Sequence, residues 1–182
     1  MLQRLSGLIL RIFGWKIIGR MPADIRKCVV IVAPHTSYWD FVWGRLAFWE
    51  MGVKVKFLIK QEVFVFPIGG LLRRMGGLPV NRKNSANMVE VIARMFTEQD
   101  SLYITITPEG TRKKVVNWKK GFYYIALKAK VPIALGILDY RTKEGGVAKI
   151  FSPTGNLAED FKMIEDFYRG RTGKHPEKFN LG

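Results

Sequence analysis

The sequence predicts one α/β domain, and two observations carry this prediction. Short β-branched apolar runs alternate along the chain with stretches in which apolar residues recur every three or four positions. The alternation continues without internal repeats, low-complexity tracts or a linker rich in Gly, Ser and Pro. A chain of 182 residues is the usual size of one domain with one substantial core. We therefore expect a single functional site.

Residues 1–20 contain the first predicted element, an amphipathic helix. Its polar and glycine residues fall on one narrow face, and the other face carries Leu2, Leu5, Leu8, Ile9, Ile12 and Phe13. Arg4, Arg11 and Lys16 interrupt the apolar run, so we do not expect it to span a membrane. Basic residues without an acid suit a helix in the headgroup region of a bilayer, and packing on its own domain is the alternative. We accordingly divide the chain into a membrane-surface helix, residues 1–20, and a globular domain, residues 21–182.

The remaining elements follow in chain order. Apolar or alternating runs predict strands at residues 28–33, 53–59, 77–80, 101–107, 133–138 and 148–151. Caps and helical periodicity predict helices at residues 40–51, within 61–75, from Asn84 or Ser85 onward, at 119–130 and at 157–169. The polar tail, residues 170–182, is expected to be irregular. Cys28 is the single cysteine and lies in the first apolar strand, so we interpret it as a buried structural thiol.

The composition indicates a polyanionic partner. Thirty Lys and Arg residues stand against fifteen Asp and Glu, a formal net charge of +15, while 48% of the residues are hydrophobic. This apolar content excludes a disordered basic tail, and a folded cationic protein binds either nucleic acid or the anionic surface of a bilayer. The basic residues are dispersed and form no stripe, so we expect no nucleic-acid partner; a basic nucleic-acid-binding module is the alternative from another class.

Three polar clusters follow predicted strands. They are residues 35–40, 81–82 and 109–112. Because ligands bind outside the strand ends of open α/β sheets, we expect the three clusters to converge on one crevice.

His35 and Asp40 form the first cluster, an imidazole and a carboxylate five residues apart across a predicted strand-to-helix turn. An imidazole accepts a proton from a hydroxyl near neutral pH. A carboxylate that binds one ring nitrogen turns the other toward the substrate. The pair therefore predicts a general base and its orienting partner. The structural alternative has Asp40 capping its helix and His35 as an ordinary loop residue.

The other two clusters carry arginines. Gly110 permits close backbone approach, the Thr111 hydroxyl can meet an anion, and the fork of Arg112 matches phosphate oxygens. Arg82 follows a short apolar strand. Taken alone, residues 109–112 also fit an ordinary turn, and Arg82 fits a solvent-exposed strand end. Their functional interpretation therefore depends on the clusters occurring together.

In this order the clusters resemble the glycerolipid acyltransferase family, the lysophosphatidic acid (1-acyl-sn-glycerol-3-phosphate) acyltransferases and their relatives. Residues 35–40 match the family's motif of His, four residues and Asp, and residues 108–112, Pro-Glu-Gly-Thr-Arg, match its third block. Residues 77–82 resemble the second block and residues 131–133 the fourth. Four ordered blocks are far more specific than any single one.

The resemblance implies a fold and a role for each motif residue. The fold would be a central mixed, largely parallel sheet flanked by helices. His35 would be the general base and Asp40 its orienting partner. The implied substrate-binding residues are Ser37, Arg82, Glu109, Gly110, Thr111, Arg112 and Pro132. Of these, Arg82 and Arg112 would hold the acceptor's anionic head, and Pro132 would line the acyl channel.

The implied reaction moves a fatty acyl group from acyl-CoA or acyl carrier protein to a hydroxyl of a lysophospholipid, without a metal, a cofactor or an acyl-enzyme. The default acceptor is 1-acylglycerol-3-phosphate, which gives phosphatidic acid. A lyso-ornithine or glycine aminolipid is the alternative acceptor, and a catalytically inactive membrane-binding relative is a further alternative. The expected location is the cytoplasmic face of the cell membrane, where a peripheral or monotopic protein would meet anionic lipids.

Overall fold

The computed structural model describes residues 1–80 and 85–181, with side chains from residue 88 onward after the gap. Its strands are β1 (Lys16–Ile17), β2 (Lys27–Ala33), β3 (Val55–Lys60), β4 (Gly77–Val80), β5 (Leu102–Ile106), β6 (Ile133–Asp139) and β7 (Glu144–Phe151). Its helices are α1 (Leu2–Ile12), α2 (Trp39–Met51), α3 (Ile68–Arg74), α4 (Ser85–Glu98), α5 (Gly121–Ala129) and α6 (Leu157–Tyr168). Two 3₁₀ turns cover Gln61–Val63 and Pro176–Lys178.

The described strands form one sheet in the order β1-β7-β6-β2-β5-β3-β4. β2, β3, β4, β5 and β6 are parallel, whereas β7 is antiparallel to β6 and β1 pairs parallel with β7. The predicted α/β domain with a mixed, largely parallel sheet is confirmed. The five parallel strands end at one side of the sheet, called the carboxyl edge below.

Helices cover both faces of the sheet, which explains the continuous apolar run of β2. Cys28 and Val30 pack with α2 on one face, while Val29 and Ile31 pack with α4, α5 and α6 on the other. The crossovers β2-α2-β3 and β3-α3-β4 advance in the same direction along the sheet, so right-handed connections place α2 and α3 on one face. Burial raises the pKa of the Cys28 thiol to about 12, as expected for a structural cysteine.

Several predicted boundaries change in the structure. β7 begins at Glu144, four residues before the predicted strand, because Gly145-Gly146 reads as a turn in the sequence but lies in the ladder with β6. A Cβ on Gly146 would lie 2.1 Å from the carbonyl oxygen of Ile18, so the close approach of this neighbouring chain requires glycine. β1 was not predicted, since two residues form no pattern. Asn84, one of the two predicted caps, lies outside the described residues, and α4 begins at Ser85, the other predicted cap.

α1 packs on α2, and the residues of α1 that are buried are Ser6, Gly7 and Leu10. The Gln3 amide donates to the carbonyl oxygen of Glu50 at 3.2 Å, and a Cβ on Gly7 would lie 3.3 Å from the Glu50 side chain. The apolar face points outward and exposes Leu2, Leu5, Leu8, Ile12 and Phe13. Among the described residues, no helix has the length and apolar character needed to cross a bilayer.

Candidate active site

The loop between β2 and α2 brings His35 and Asp40 into contact at the carboxyl edge. His35 Nδ1 lies 3.2 Å from Asp40 Oδ2, and the same oxygen accepts the main-chain N–H groups of Thr36 and Ser37 at 2.7 and 2.8 Å. A ring nitrogen that faces a carboxylate carries its hydrogen there, so Nε2 of the neutral ring is left to accept a proton. The His35 side chain keeps 19% of its surface exposed, which leaves the ring accessible.

Asp40 is held as a carboxylate. Burial opposes its ionisation, but hydrogen bonds from His35, Tyr140 and the Ser37 N–H outweigh burial and lower the pKa of Asp40 below its usual value. Four donors in all therefore point at this one buried group, which fixes both the loop and the orientation of the His35 ring. Asp40 thus contacts the His35 ring and also holds the loop before α2, and its catalytic role stays a prediction.

Glu109 also binds the backbone of the His35 loop. Its Oε1 accepts the main-chain N–H of His35 at 2.8 Å, its surface is only 3% exposed, and Oε2 is buried without a hydrogen-bond partner among the described residues. Burial raises the pKa of Glu109, and the negative charge of Asp40 raises it further. We predicted a substrate contact here. In the structure the carboxyl group turns inward and accepts the His35 N–H, and the substrate contact stays a prediction.

Arg112 lies close to the His35 loop. Its guanidinium carbon is 3.7 Å from the centre of the Tyr38 ring, and Tyr38 is 76% exposed. No acidic side chain of the described residues forms an ion pair with Arg112. Gly110 makes the preceding turn with a φ of +65°, and the exposed Thr111 hydroxyl accepts the Lys113 N–H at 3.3 Å. The turn therefore presents a cation without an acidic partner, among the described residues, against the loop that carries the candidate base.

The remaining predicted site residues are Ser37, Arg82 and Pro132. Arg82 lies outside the described residues. Ser37 is buried and its hydroxyl accepts the Trp39 N–H at 3.2 Å, so its side chain faces the start of α2. Pro132 precedes β6 at the opposite end of the sheet, where its carbonyl oxygen accepts the Val29 N–H at 3.1 Å. Pro132 lies away from His35, because β6 runs parallel to β2 and starts at the far edge, and its place beside the acyl channel stays a prediction.

Tyr140, which was not predicted from the sequence, completes the support of Asp40. Its hydroxyl donates to Asp40 Oδ1 at 2.7 Å, its ring stands edge-on to Trp15 at 5.1 Å, and its N–H donates to Thr172 O at 2.8 Å. Burial and the charge of Asp40 raise the pKa of Tyr140, so the hydroxyl stays a donor. Tyr140 directly follows β6, so the rule that placed His35 at a strand end also applied to it.

A C-terminal strap, residues 171–175, covers the His35 loop. The His175 N–H donates to the Thr36 hydroxyl at 3.1 Å. A Cβ on Gly173 would lie 2.6 Å from the same hydroxyl oxygen, so the strap passes at the distance that only glycine allows. Lys174 places its amine 5.0 Å from the Trp39 ring centre. The tail is irregular apart from its 3₁₀ turn, as predicted, but it is part of the site.

Tyr140→Phe is expected to lower kcat about tenfold with little change in KM, corresponding to about 1.4 kcal/mol in the activation barrier. The phenyl ring keeps the packing on Trp15, whereas Asp40 loses one donor and holds His35 less firmly. Steady-state kinetics would measure both constants.

The folding stability of Tyr140→Phe at acidic pH gives a second measurement. A carboxyl whose native pKa lies below its unfolded value contributes stability above the unfolded pKa, and this stability is lost as the pH falls through the native pKa. Without the Tyr140 bond the native pKa of Asp40 rises, so chemical denaturation should show a smaller stability at neutral pH that is lost at a higher pH than in wild type. An unchanged kcat, together with an unchanged pH dependence of the folding stability in acid, would exclude this role for Tyr140.

The chain is similar in sequence to known acyltransferases. A family model described as Acyltransferase matches residues 17–134. A chloroplastic 1-acyl-sn-glycerol-3-phosphate acyltransferase of Brassica napus is 31% identical over 118 residues, which cover 62% of this chain and 33% of that protein. The beta form of the same enzyme from Homo sapiens is 32% identical over 116 residues, or 60% of this chain and 40% of that one. The chain thus spans a third to less than half of the length of these relatives.

One solved structure shares the fold. It is the 1-acyl-sn-glycerophosphate acyltransferase from Thermotoga maritima, with a TM-score of 0.61 and 18% sequence identity, covering 91% of this chain and 74% of that chain. The matched family region contains the His35 loop and the Arg112 turn, whereas Tyr140 and the C-terminal strap lie beyond it.

Proposed function

Because the matched region covers more than half of its length, the chain belongs to the acyltransferase family, and we propose that it acylates a hydroxyl of a lysophospholipid. The proposed acceptor is 1-acylglycerol-3-phosphate and the product phosphatidic acid, in phospholipid biosynthesis; the names of the relatives support this choice. The proposed donor is an acyl thioester of coenzyme A or acyl carrier protein, and no further cofactor is proposed. The observation that carries the proposal is the 3.2 Å contact of His35 with Asp40, on the loop whose Tyr38 ring contacts Arg112.

The chemistry follows from the orientation of the His35 ring. Nε2 takes the hydroxyl proton of the acceptor as its oxygen attacks the thioester carbonyl, forming the new C–O bond. The tetrahedral intermediate then breaks the C–S bond, and the imidazolium returns the proton to the departing thiolate. Asp40 stabilises the imidazolium because it is ionised throughout. General base catalysis of this kind contributes about 10²- to 10⁴-fold, and alignment of the two substrates contributes the rest.

The basic groups around the loop support an anionic acceptor. Arg112 has five N–H donors in a planar fork that fits two phosphate oxygens. It lies over Tyr38, three residues from His35, so an acceptor phosphate held there would have its glycerol hydroxyls near the base. Lys174 adds a second cation over Trp39, the next residue along the chain. The proposed anion site is therefore built on the same loop that orients the base.

The aromatic contacts of α2 support a membrane-surface location. Phe13 contacts Trp43 with ring centres 5.2 Å apart, and Trp43 stacks on Trp39 at 5.9 Å. These ring contacts connect the exposed apolar face of α1 to Trp39, four residues after His35. We propose that residues 1–20 lie on an anionic bilayer at the cytoplasmic face of the cell membrane, as a peripheral or monotopic element, and that residues 21–182 form the acyltransferase domain.

An acceptor panel tests the proposed function. Purified protein would be given labelled acyl-CoA or acyl carrier protein with lysophosphatidate, a lyso-aminolipid or lysophosphatidylcholine. We expect phosphatidic acid as the main product. Arg112→Ala should raise the KM for lysophosphatidate at least tenfold, and Lys149→Ala, on the outer part of β7, serves as the matched control. Preference for the aminolipid would overturn the proposed acceptor, and no transfer to any acceptor would overturn the activity.

A further inference from the structure

The connection between β3 and α3 exposes an unusual amount of apolar surface. Phe66 is 98% exposed, and the other exposed apolar side chains of this segment are Val63, Val65, Ile68 and Leu71. We call residues 63–71 the apolar loop. Contiguous exposed apolar patches of this kind mark sites of interaction with proteins or membranes.

The apolar loop is an ordered turn that holds Phe66 outward. The Gly69 N–H donates to Val65 O at 2.7 Å, and the Phe64 N–H donates to Gln61 O at 3.1 Å. A Cβ on Gly69 would lie 2.8 Å from the Phe64 backbone, so the two sides of the turn are in close contact. The exposure of Phe66 is therefore built into the backbone of the turn.

The charges that flank the apolar loop indicate which partner fits it. Lys60, Arg73 and Arg74 are exposed at its two ends, and Glu62 is the acid in residues 60–74. Arg73 also lies 5.1 Å from the centre of the Phe64 ring. An apolar tip with a collar of cations is the arrangement expected of an element that enters a bilayer beneath anionic headgroups.

The apolar loop lies at the same edge of the sheet as the His35 loop. β3 ends at Lys60, parallel to β2, so its connection to α3 leaves from the carboxyl edge. α3 also lies on the face of the sheet that carries α2, on which α1 packs. A contact at the apolar loop and a contact at α1 would therefore hold the His35 loop between them.

We propose that the apolar loop inserts into an anionic bilayer and forms a second membrane contact besides α1. This inference rests on the proposed membrane location and is independent of acyl transfer. Phe66 enters the boundary between headgroups and acyl chains, and Lys60, Arg73 and Arg74 bind headgroup phosphates around it.

A fluorescent label at position 66 tests the insertion. Phe66→Cys would carry an environment-sensitive thiol label, because Cys28 is buried with a thiol pKa of about 12 and does not compete. On vesicles of phosphatidylglycerol and phosphatidylethanolamine we expect a blue shift and quenching by lipids with brominated acyl chains. Val91→Cys, exposed on α4 at the other face, is the matched control and should show neither. A label at 66 that stays in water on vesicle-bound protein would overturn the proposal.

Vesicle partition gives an independent measurement. Phe66→Ser should weaken the partition coefficient about tenfold or more, whereas Val91→Ser should leave it unchanged. Equal partition of Phe66→Ser and Val91→Ser would contradict insertion. A response of the label at position 66 to acidic carrier protein, or to increasing protein concentration without vesicles, would also contradict it. Acyl transfer to a short-chain monomeric acceptor should be unchanged in Phe66→Ser, so a failure of this proposal is distinguishable from absence of the enzymatic activity.

Discussion

His35→Ala is expected to lower kcat for acyl transfer by about 10²- to 10⁴-fold, the range supplied by a positioned general base. The loss should fall on kcat, because Arg112 remains in place to bind the acceptor. A continuous assay of thiol release with lysophosphatidate would give kcat and KM for both proteins.

The second histidine of the chain provides the matched control. His175 donates its main-chain N–H to Thr36, a bond that alanine retains, and its ring lies 3.8 Å from Glu177. His175→Ala should therefore stay within about threefold of wild type. Similar losses in both variants would show that the effect of His35 is structural.

Asp40→Asn is expected to lower kcat by about 10²-fold or more at constant fold. An asparagine oxygen in the place of Oδ2 still accepts the Thr36 and Ser37 N–H groups, and its amide can donate to the Tyr140 oxygen. What the variant loses is the negative charge that stabilises the imidazolium. Kinetics and a melting curve should be measured on the same preparation.

The outcome for Asp40→Asn separates the two roles of this residue. A large loss of kcat with a nearly unchanged melting temperature is the expected pattern. A collapsed melting temperature would show that the charge mainly holds the loop. Full activity would show that orientation by a neutral group is sufficient, and it would contradict the electrostatic role assigned to Asp40.

Local pattern predicted most of the strands and the position of His35 and Asp40, whereas the largely parallel sheet was what the resemblance implied. The continuous apolar run of β2 predicted a strand buried on both faces, and the strand-end rule placed His35 and Asp40 at the carboxyl edge. These positions concern neighbours in sequence, whereas the functional interpretation of the pair depended on the resemblance.

Contacts between distant segments were beyond that reasoning. Tyr140 reaches Asp40 across 100 residues and Gly173 reaches Thr36 from the tail, and no periodicity encodes either distance. The resemblance named Glu109 as a substrate contact but gave no information on which way its carboxyl group turns. Pro132 was carried into the site with its sequence block, whereas the register of β6 against β2 places it at the far end.

The orientation of α1 shows a further limit of periodicity. The sequence shows that α1 has an apolar face, but hydrophobicity alone would pack that face on the domain. The structure packs Gly7 and Gln3 on α2 instead, because the glycine allows close approach to Glu50. Leu2, Leu5, Leu8, Ile12 and Phe13 are left outside, where a bilayer would bury them, whereas Leu10 is buried against the domain.

A single-turnover experiment tests the central claim, a direct base-assisted transfer at His35. Wild type and His35→Ala, each in excess over labelled acyl thioester, would be mixed with lysophosphatidate and quenched at successive times. The account predicts labelled phosphatidic acid from wild type, about 10²-fold or more slower formation from His35→Ala, and no label on the protein at any time. Equal rates from the two proteins, or label that passes through a protein-bound acyl group, would contradict it.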